Sequence, residues 1–290
     1  MLSARFFRFF RHLNGATLKK AFQRAGEQRL PGLAAEMTYN AMLSLFPSIL
    51  ALFTAIGLFK SLRATFQQLA NQLNQIAPHE ALFLIQGFTK TISHSQNQSL
   101  FSLSFIVALW TASGALSAAM TALDQIHQIP LRQRRPFWKA KLVSLALTIG
   151  TILLLISASF LVLISDFIVQ LVASQSGNLQ SGLLKIWRLF TWPTALAIVA
   201  SAFAFIYRYG PSRWTKGTPI LPGAMVAAVS WAIISGLFRL YVSNFGNYNA
   251  AYGAVGTVIV LMLWLNLSSL VMLFGDQLNV TVGEAMRKKA

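Results

Sequence analysis

The residues best suited to chemistry are a few polar side chains in a largely apolar chain. Glu36, Asn40 and Ser44 recur at intervals of four residues, which places them on one face of a helix as a narrow polar stripe. Two more carboxylates lie near the ends of other apolar segments, where ionisable groups commonly mark a pathway for ions or substrates. The candidate polar pathway comprises Glu36, Asn40, Ser44, Asp124, Asn266 and Asp276.

A second group of candidates is expected at the opposite membrane face. Asp166 follows the third apolar segment and Arg239 lies near the end of the fifth, so the two would share a depth. An ion pair explains this placement, and recognition of an anionic headgroup or substrate by Arg239 is the alternative. Asn247 and Tyr248 belong to the loop SNFGNYNAAYG, whose amides and aromatic rings suit sugars or polar headgroups. The same composition is typical of a tight turn.

Motifs for catalysis are absent from the sequence. The four histidines, at positions 12, 79, 94 and 127, are scattered and never at the spacing of metal ligands, and there is no cysteine. No GxSxG nucleophile motif, phosphate-binding glycine loop or cluster of acids for a two-metal site occurs. We therefore expect a protein that is not an enzyme, with no cofactor and no metal.

The composition indicates which kind of protein must position these residues. Hydrophobic residues make up 55% of the 290 and charged residues only 11%, whereas a soluble domain has about 25% charged residues. Residues 33–59 form an apolar run with one ionisable side chain, Glu36, and as a helix they would extend roughly 40 Å, enough to cross a bilayer. Pro47 lies inside this run and predicts a helix kink.

The apolar runs predict an all-α, polytopic membrane protein with six transmembrane helices. A connection between the first two spans contains apolar residues at helical spacing, and we expect it to form an outer amphipathic helical hairpin at 61–95. The predicted spans are 33–59, 99–126, 142–165, 187–207, from Pro219 or Pro222 to 242, and 253–275.

The predicted domains are a basic segment at 1–32, a transmembrane domain at 33–279 and a basic tail at 280–290. Phenylalanines interleaved with arginines in the first segment favour a helix lying in the headgroup layer, and a nucleic-acid-binding arm is the alternative. Of the 24 lysines and arginines, 18 fall on the side that the termini share, so both termini are predicted to be cytoplasmic. Expected partners are membrane lipids with anionic headgroups and a small solute, without nucleic acid; the oligomeric state is open.

This topology brings three carboxylates, Glu36, Asp124 and Asp276, to similar depths at the cytoplasmic edge of the bilayer. Pairing with nearby arginines would explain them, and a shared acidic mouth between spans one, two and six is the alternative. Small and hydroxyl residues in span two indicate helix packing or, alternatively, a pathway lining. The arginines considered as partners are Arg29, Arg132, Arg134, Arg135 and Arg213.

Four stretches carry a resemblance to a known family. The segments AAEMTYNAMLSLFPSILALFTAIG at 34–57, LWTASGALSAAMTALDQIH at 109–127, LPGAMVAAVSWAIISGLFRLYVSNF at 221–245 and YGAVGTVIVLMLWLNLSSLVMLFGDQLN at 252–279 resemble the YihY/BrkB family of bacterial inner-membrane proteins. The resemblance implies six transmembrane helices in the plasma membrane. It also implies links to serum resistance and to export of small molecules, alongside an older label of tRNA-processing ribonuclease BN. Relatives usually carry Gly-Ala-Glu-Leu-Asn where this chain has Gly-Asp-Gln-Leu-Asn at 275–279, so the acid is displaced by one position.

Three functional hypotheses follow. The first is transport or export of a small solute or a lipid-related molecule, based on the striped first span and the shared depth of the carboxylates. The second is a structural or assembly protein of the membrane without transport activity. The third is a membrane-associated tRNA-processing ribonuclease, which would require metal-dependent cleavage by the purified protein.

Overall fold

The computed structural model describes residues 2–58, 98–154, 180–213, 218–244 and 248–288. Within these ranges the chain is helical and contains no strand. The predicted hairpin at 61–95 lies outside the described residues, and so do Asp166 and Asn247.

Eight α-helices are described in these ranges, with a short 3-10 helix at Leu131–Gln133 in the loop between the fourth and the fifth. The helices group into two compact units, residues 1–39 with 115–290 and residues 40–114. The helices are α1 (Leu2–His12), α2 (Gly15–Glu27), α3 (Leu30–Leu58), α4 (Gln98–Ile126), α5 (Phe137–Leu154), α6 (Gln180–Tyr209), α7 (Leu221–Asn244) and α8 (Tyr248–Lys288).

Four helical segments are long and apolar enough to cross a membrane, and Pro193–Tyr209 is a shorter apolar helix. This confirms a membrane protein built from several apolar helices. The described parts of the predicted apolar runs fall on α3 to α8, although the count of six spans stays a prediction. The four segments are Ser102–Ile126, Phe137–Leu154, Leu221–Val242 and Val258–Arg287.

In the larger unit, α7 packs between α6 and α8, and the N-terminal helices pack on α8. A buried apolar core includes Leu123, Ile206 and Leu273, and a second core joins α1, α2 and α8 through Phe9 and Leu278. Residues 2–27 therefore form two helices that are held against the protein itself. Their location in the headgroup layer stays a prediction.

One face of α7 carries an unbroken stripe of exposed apolar side chains. Met225, Val229, Ile233 and Leu237 follow one another at intervals of four residues and are 42%, 46%, 58% and 60% exposed. A contiguous exposed stripe of this kind would be unfavourable in water but matches the hydrocarbon of a bilayer. This face of α7 therefore suits contact with lipid.

Two helices extend beyond the limits expected from the sequence. α8 continues to Lys288, although the sixth span was expected to end at 275 and residues 280–290 were expected to form a tail. Val280 and Val282 are buried, so packing continues the helix past the end of the apolar run. α5 begins at Phe137 rather than 142, because the carbonyl of Pro136 accepts the first helical hydrogen bond from the amide of Ala140.

Candidate functional site

Asp124, in the last turn of α4, is bound to the loop that follows α6. Its Oδ1 accepts a hydrogen bond from the backbone N–H of Ser212 and its Oδ2 accepts one from the Ser212 hydroxyl, both at 2.6 Å. Asp124 is only 5% exposed. Both oxygens of a buried carboxylate are thus satisfied by one serine, because the loop presents an amide and a hydroxyl together.

Arg135 closes the C-terminal end of α6. Its guanidinium donates hydrogen bonds to the carbonyls of Tyr209, Gly210 and Pro211 at 3.2, 2.6 and 2.8 Å. Its backbone N–H also donates to the Ser212 hydroxyl oxygen at 3.1 Å. The last carbonyls of a helix have no partner within the helix and carry partial negative charge, so an arginine at this position stabilises the helix end.

His127 and Asp276 form a buried pair between the loop after α4 and helix α8. His127 Nε2 lies 2.9 Å from Asp276 Oδ2, and the two side chains are 2% and 1% exposed. The contact is an ion pair when the imidazole is protonated and a hydrogen bond when it is neutral. The other carboxylate oxygen, Oδ1, is buried and has no hydrogen-bond partner among the described residues.

Tyr207 links α6 to α8 one helical turn before Asp276 in the sequence of α8. Its hydroxyl donates a hydrogen bond to the carbonyl of Met272, and the residue is fully buried. A Cβ added to Gly275 would lie 2.6 Å from both this hydroxyl and the Cβ of Ala227. Only glycine therefore fits where α6, α7 and α8 meet, and the close approach lets the tyrosine reach a helical carbonyl.

Asn279 joins α8 to the start of α7. Its Oδ1 accepts a hydrogen bond from the N–H of Gly223 at 2.9 Å, and its Nδ2 donates to the carbonyl of Ile220 at 3.0 Å. The first amides of a helix lack partners within the helix, and here a neighbouring helix supplies the cap. A Cβ at Gly223 would collide with the Asn279 amide, so the contact requires glycine.

These contacts gather at one end of the larger unit, at the C-terminal ends of α4 and α6, the start of α7 and the second half of α8. We call the residues that make them the polar cluster. Their buried hydrogen bonds connect α4, α6, α7 and α8. Toward the N terminus, Gln125 donates to the carbonyl of Gln28, and Glu284 accepts from Arg24 and Lys20 at 2.8 and 3.4 Å. The polar cluster comprises Asp124, His127, Tyr207, Ser212, Asp276 and Asn279.

Next to the polar cluster lies an apolar cleft of about 440 Å³. Its walls come from α2, the α2–α3 junction, α7 and α8, and Ser230 is its one polar side chain within the described ranges. The rings of Phe22 and Phe274, both part of its lining, are tilted by 39° to each other with centroids 4.6 Å apart. The cleft is lined by Phe22, Ala25, Gly26, Leu30, Pro31, Val226, Ala227, Ser230, Ile234, Leu270, Val271, Phe274, Gly275 and Leu278.

Comparison with known families decides what kind of protein carries this arrangement. The family model described as virulence factor BrkB matches residues 21–290. The chain belongs to the BrkB family.

Relatives of this BrkB-family chain carry two kinds of name. The ribonuclease-like protein YfkH of Bacillus subtilis is 30% identical over 94% of the chain and 96% of its own length. The UPF0761 membrane protein RSc1559 of Ralstonia nicotianae is 29% identical over 92% of the chain, which spans 58% of that relative. The UPF0761 membrane protein NTHI0384 of Haemophilus influenzae is 26% identical over 91% and 93% of the two chains. No solved structure shows significant similarity to the chain.

The predicted pathway residues of this BrkB-family protein differ in their burial and in their contacts. Asp124 and Asp276 are buried in the polar cluster and bind Ser212 and His127 rather than the flanking arginines. Asn266 is half-buried on α8. Glu36 is exposed near the start of α3.

In the smaller unit, the polar stripe of α3 lies against a glycine of α4. The Asn40 Oδ1 is so close to Gly114 that an added Cβ would be 2.7 Å away, and the hydroxyl of half-buried Ser44 donates to the Ala41 carbonyl of its own helix. The approach of Asn40 to Gly114 is that of close helix packing, whereas the Ser44 contact stays within α3. Pro47 lies within α3 as predicted, and the kink stays a prediction.

Of the outer-face candidates, Arg239 is exposed on α7, and Tyr248 is the first residue of α8. The pairing of Arg239 with Asp166 stays a prediction because Asp166 is outside the described residues.

Sequence reasoning did not single out His127, Tyr207, Ser212 or Asn279, which complete the polar cluster. His127 lies three residues after Asp124 in the sequence, and that proximity to an acid was the one available signal. The described ranges contain no group of three histidine, aspartate or glutamate side chains that could hold a metal ion. The two buried carboxylates instead contact the hydroxyl and backbone amide of Ser212 and the imidazole of His127.

Proposed function

We propose that this BrkB-family protein moves a small solute or a lipid-related molecule across the bacterial inner membrane. The observation that carries the proposal is Asp276, a fully buried carboxylate on an apolar helix with one oxygen paired to His127 and the other without a donor in the described part of the chain. Ionisable groups within apolar helices are rare and face the bundle interior or a water-filled cavity, and such groups mark transport pathways.

The Oδ1 of Asp276, which has no donor within the described ranges, distinguishes this pair from a purely structural one. A buried carboxylate that served packing alone would be expected to satisfy both oxygens, as Asp124 does with Ser212. The Oδ1 of Asp276 can accept a proton, a water molecule or a cation, and binding of a proton or a cation there would weaken the attraction of the carboxylate to His127. The pair is therefore suited to couple occupancy of the site to the position of α8.

The polar cluster supports a gate at this end of the larger unit. It holds α4, α6, α7 and α8 through a few side-chain hydrogen bonds, while the buried core beside it is apolar. Exchanging a few hydrogen bonds for others costs less free energy than separating a packed apolar core. We assign the arrangement seen here to the closed form of that gate.

The topology belongs to the same proposal. Six spans with both termini in the cytoplasm place the polar cluster at the cytoplasmic edge, in agreement with the excess of lysine and arginine on that side. A membrane-impermeant label checks this with cysteines at the SNFGNYNAAYG turn and at IPLRQRRP in intact cells. Labelling of the second site but not the first would reverse the assigned orientation.

The test of transport compares the metabolites and lipids of a deletion strain with those of the complemented strain. A molecule that accumulates in the deletion strain is then loaded into proteoliposomes that contain purified protein. We expect its efflux to exceed that from empty vesicles and to fall at least about tenfold in Asp276→Asn, since one pairing charge is lost. Glu284→Gln is the matched control, an acid-to-amide change on the same helix at a partly exposed position, and should keep the flux.

Two outcomes would replace the proposal. If no molecule accumulates and no vesicle flux occurs, the protein is a structural or assembly component of the membrane. If highly purified protein instead cleaves tRNA with metal and Asp276→Asn removes the cleavage, the ribonuclease hypothesis is correct.

A further inference from the structure

We propose that the apolar cleft binds one acyl chain of an anionic phospholipid, with Lys19 and Arg29 at its mouth holding the phosphate. This site is separate from the transport proposal and does not depend on it. It assigns a ligand class to a region that the polar cluster does not use.

The walls of the cleft match a hydrocarbon chain. Its lining is apolar apart from Ser230, and its volume of about 440 Å³ falls within the roughly 300–1,000 Å³ of small-molecule sites. A polar solute would leave its hydrogen bonds unmet on such walls, whereas an acyl chain would not.

The position of the cleft along the helices also favours a lipid. On α7 the lining runs from Val226 to Ile234, which is roughly 12 Å of helix, and it begins five residues inside the membrane-crossing segment Leu221–Val242. The cleft therefore extends inward from one end of a span, as an acyl chain extends from its headgroup. The neighbouring surface of α7, with Val229 and Ile233 exposed, is itself apolar.

Charge at the mouth of the cleft indicates an anionic headgroup. Lys19 lies three and seven residues before Phe22 and Gly26, so it shares their face of α2, and Arg29 directly precedes the lining residues Leu30 and Pro31. Lys19 and Arg29 are exposed.

The basic residues on the adjacent face of α2 are already engaged. Lys20 and Arg24 bind Glu284, but neither Lys19 nor Arg29 has an ion pair within the described ranges. The acid nearest to both cations in sequence is Glu27. It lies about 140° around the α2 axis from Phe22, and therefore away from the face that lines the cleft. The two cations at the mouth are therefore available to a phosphate.

The experiment uses the full-length protein in nanodiscs that contain trace phosphatidylglycerol with a photoactivatable group in its acyl chain. Cross-linked peptides are identified by mass spectrometry, and phosphatidylcholine with the same acyl chain serves as the neutral comparison. We expect labelling within 226–234 and 270–278, with a preference for phosphatidylglycerol of roughly fivefold for each basic side chain.

Gly26→Trp tests the cleft itself. A Cβ at Gly26 would meet nothing within 4 Å, so an indole can occupy the mouth without moving the backbone, and labelling of the cleft peptides should be lost for both lipids. Gly15→Trp is the matched control, because Gly15 is on the same helix, is equally open and does not line the cleft. Equal labelling of the two variants, or labelling spread evenly over all lipid-facing helices, would overturn the proposal.

The double variant Lys19→Gln with Arg29→Asn tests the headgroup contact. Asparagine suits position 29 because the backbone there has a φ of 54°, a conformation that asparagine tolerates. We expect cleft labelling to persist with both lipids while the preference for phosphatidylglycerol disappears. The control Arg132→Asn with Lys139→Gln removes the same charge from exposed positions elsewhere and should keep the preference. If the preference for phosphatidylglycerol disappeared in both double variants, it would depend only on the net charge of the protein. That result would refute the assigned contact.

Discussion

In helix α8, residues 258–269 and residues 271–283 have opposite surroundings. Every residue described in the first stretch is exposed or half-buried, with Ile259 and Leu263 at 50% and 46% exposure. In the second stretch all residues except Phe274 are buried, and Leu273 has no exposed surface. One continuous apolar helix is thus only partly covered by protein along one half, which suits contact with lipid, and is enclosed by protein along the other.

This difference explains where polar side chains can be accommodated. A carboxylate exposed to lipid would have no hydrogen-bond partner. The polar side chain of Ser268 in the first stretch finds its partner in the Trp231 indole of α7, whereas Asp276 and Asn279 find theirs on loops and neighbouring helices. Helix α7 shows the same contrast, since Gly223 touches Asn279 whereas Gly236 has open space around it. The buried polar contacts are concentrated at one end of these two helices. Along the more open part, two tryptophan–serine hydrogen bonds, Trp231 to Ser268 and Trp264 to Ser235, join α7 and α8 directly.

The largest effect is expected from the buried pair. Asp276→Ala should destabilise the purified protein by about 4 kcal/mol, because it leaves the His127 ring buried without this partner. His127→Ala should have a similar effect, and the double variant should recover about 2 kcal/mol as the coupling between the two side chains. Steric-trapping measurement of unfolding in detergent checks these values.

Additive effects of the two single substitutions would show that the residues act independently. In that case the pair would not be the main connection between the α4 loop and α8, and the contrast between the two halves of α8 would rest on apolar packing alone.

A matched pair of leucines tests the apolar part of the contrast. Leu273→Ala should destabilise the protein by about 3 kcal/mol, because a fully buried side chain leaves a cavity. Leu263→Ala on the same helix should cost less than about 1 kcal/mol, since lipid tails are as apolar as leucine and fill the space. Thermal unfolding of both variants in the same lipid mixture measures the difference, and equal losses would contradict a lipid-facing first half.

Glycines of α7 give the smallest expected effect. Gly223→Ala should cost about 2 kcal/mol, because the added methyl group collides with the Asn279 amide that caps α7. Gly236→Ala meets no atom and should stabilise the helix slightly, by about 0.5–1 kcal/mol. The two melting temperatures, compared with that of the unchanged protein, should therefore move in opposite directions. A shift of the same sign for both would show that the α7–α8 crossing is not tightly packed.

Much of the helical architecture follows from local patterns. The second span was expected at 99–126, and α4 runs from Gln98 to Ile126, because a long apolar run between polar segments has few other stable conformations. The extension of α8 to Lys288 was not foreseen. Its buried residues Val280 and Val282 look like part of a polar tail until α1 and α2 pack against them.

By itself, the sequence determined that the chain is a helical membrane protein and that Glu36, Asp124 and Asp276 are the acids associated with its candidate pathway, because hydropathy and residue type are local properties. Only the tertiary structure decided their partners. Asp276 meets His127 across 149 residues of sequence, and Asp124 meets Ser212 across 88. A hydrogen bond depends on where helix ends meet in space, and no periodicity along one helix specifies which loop will face it.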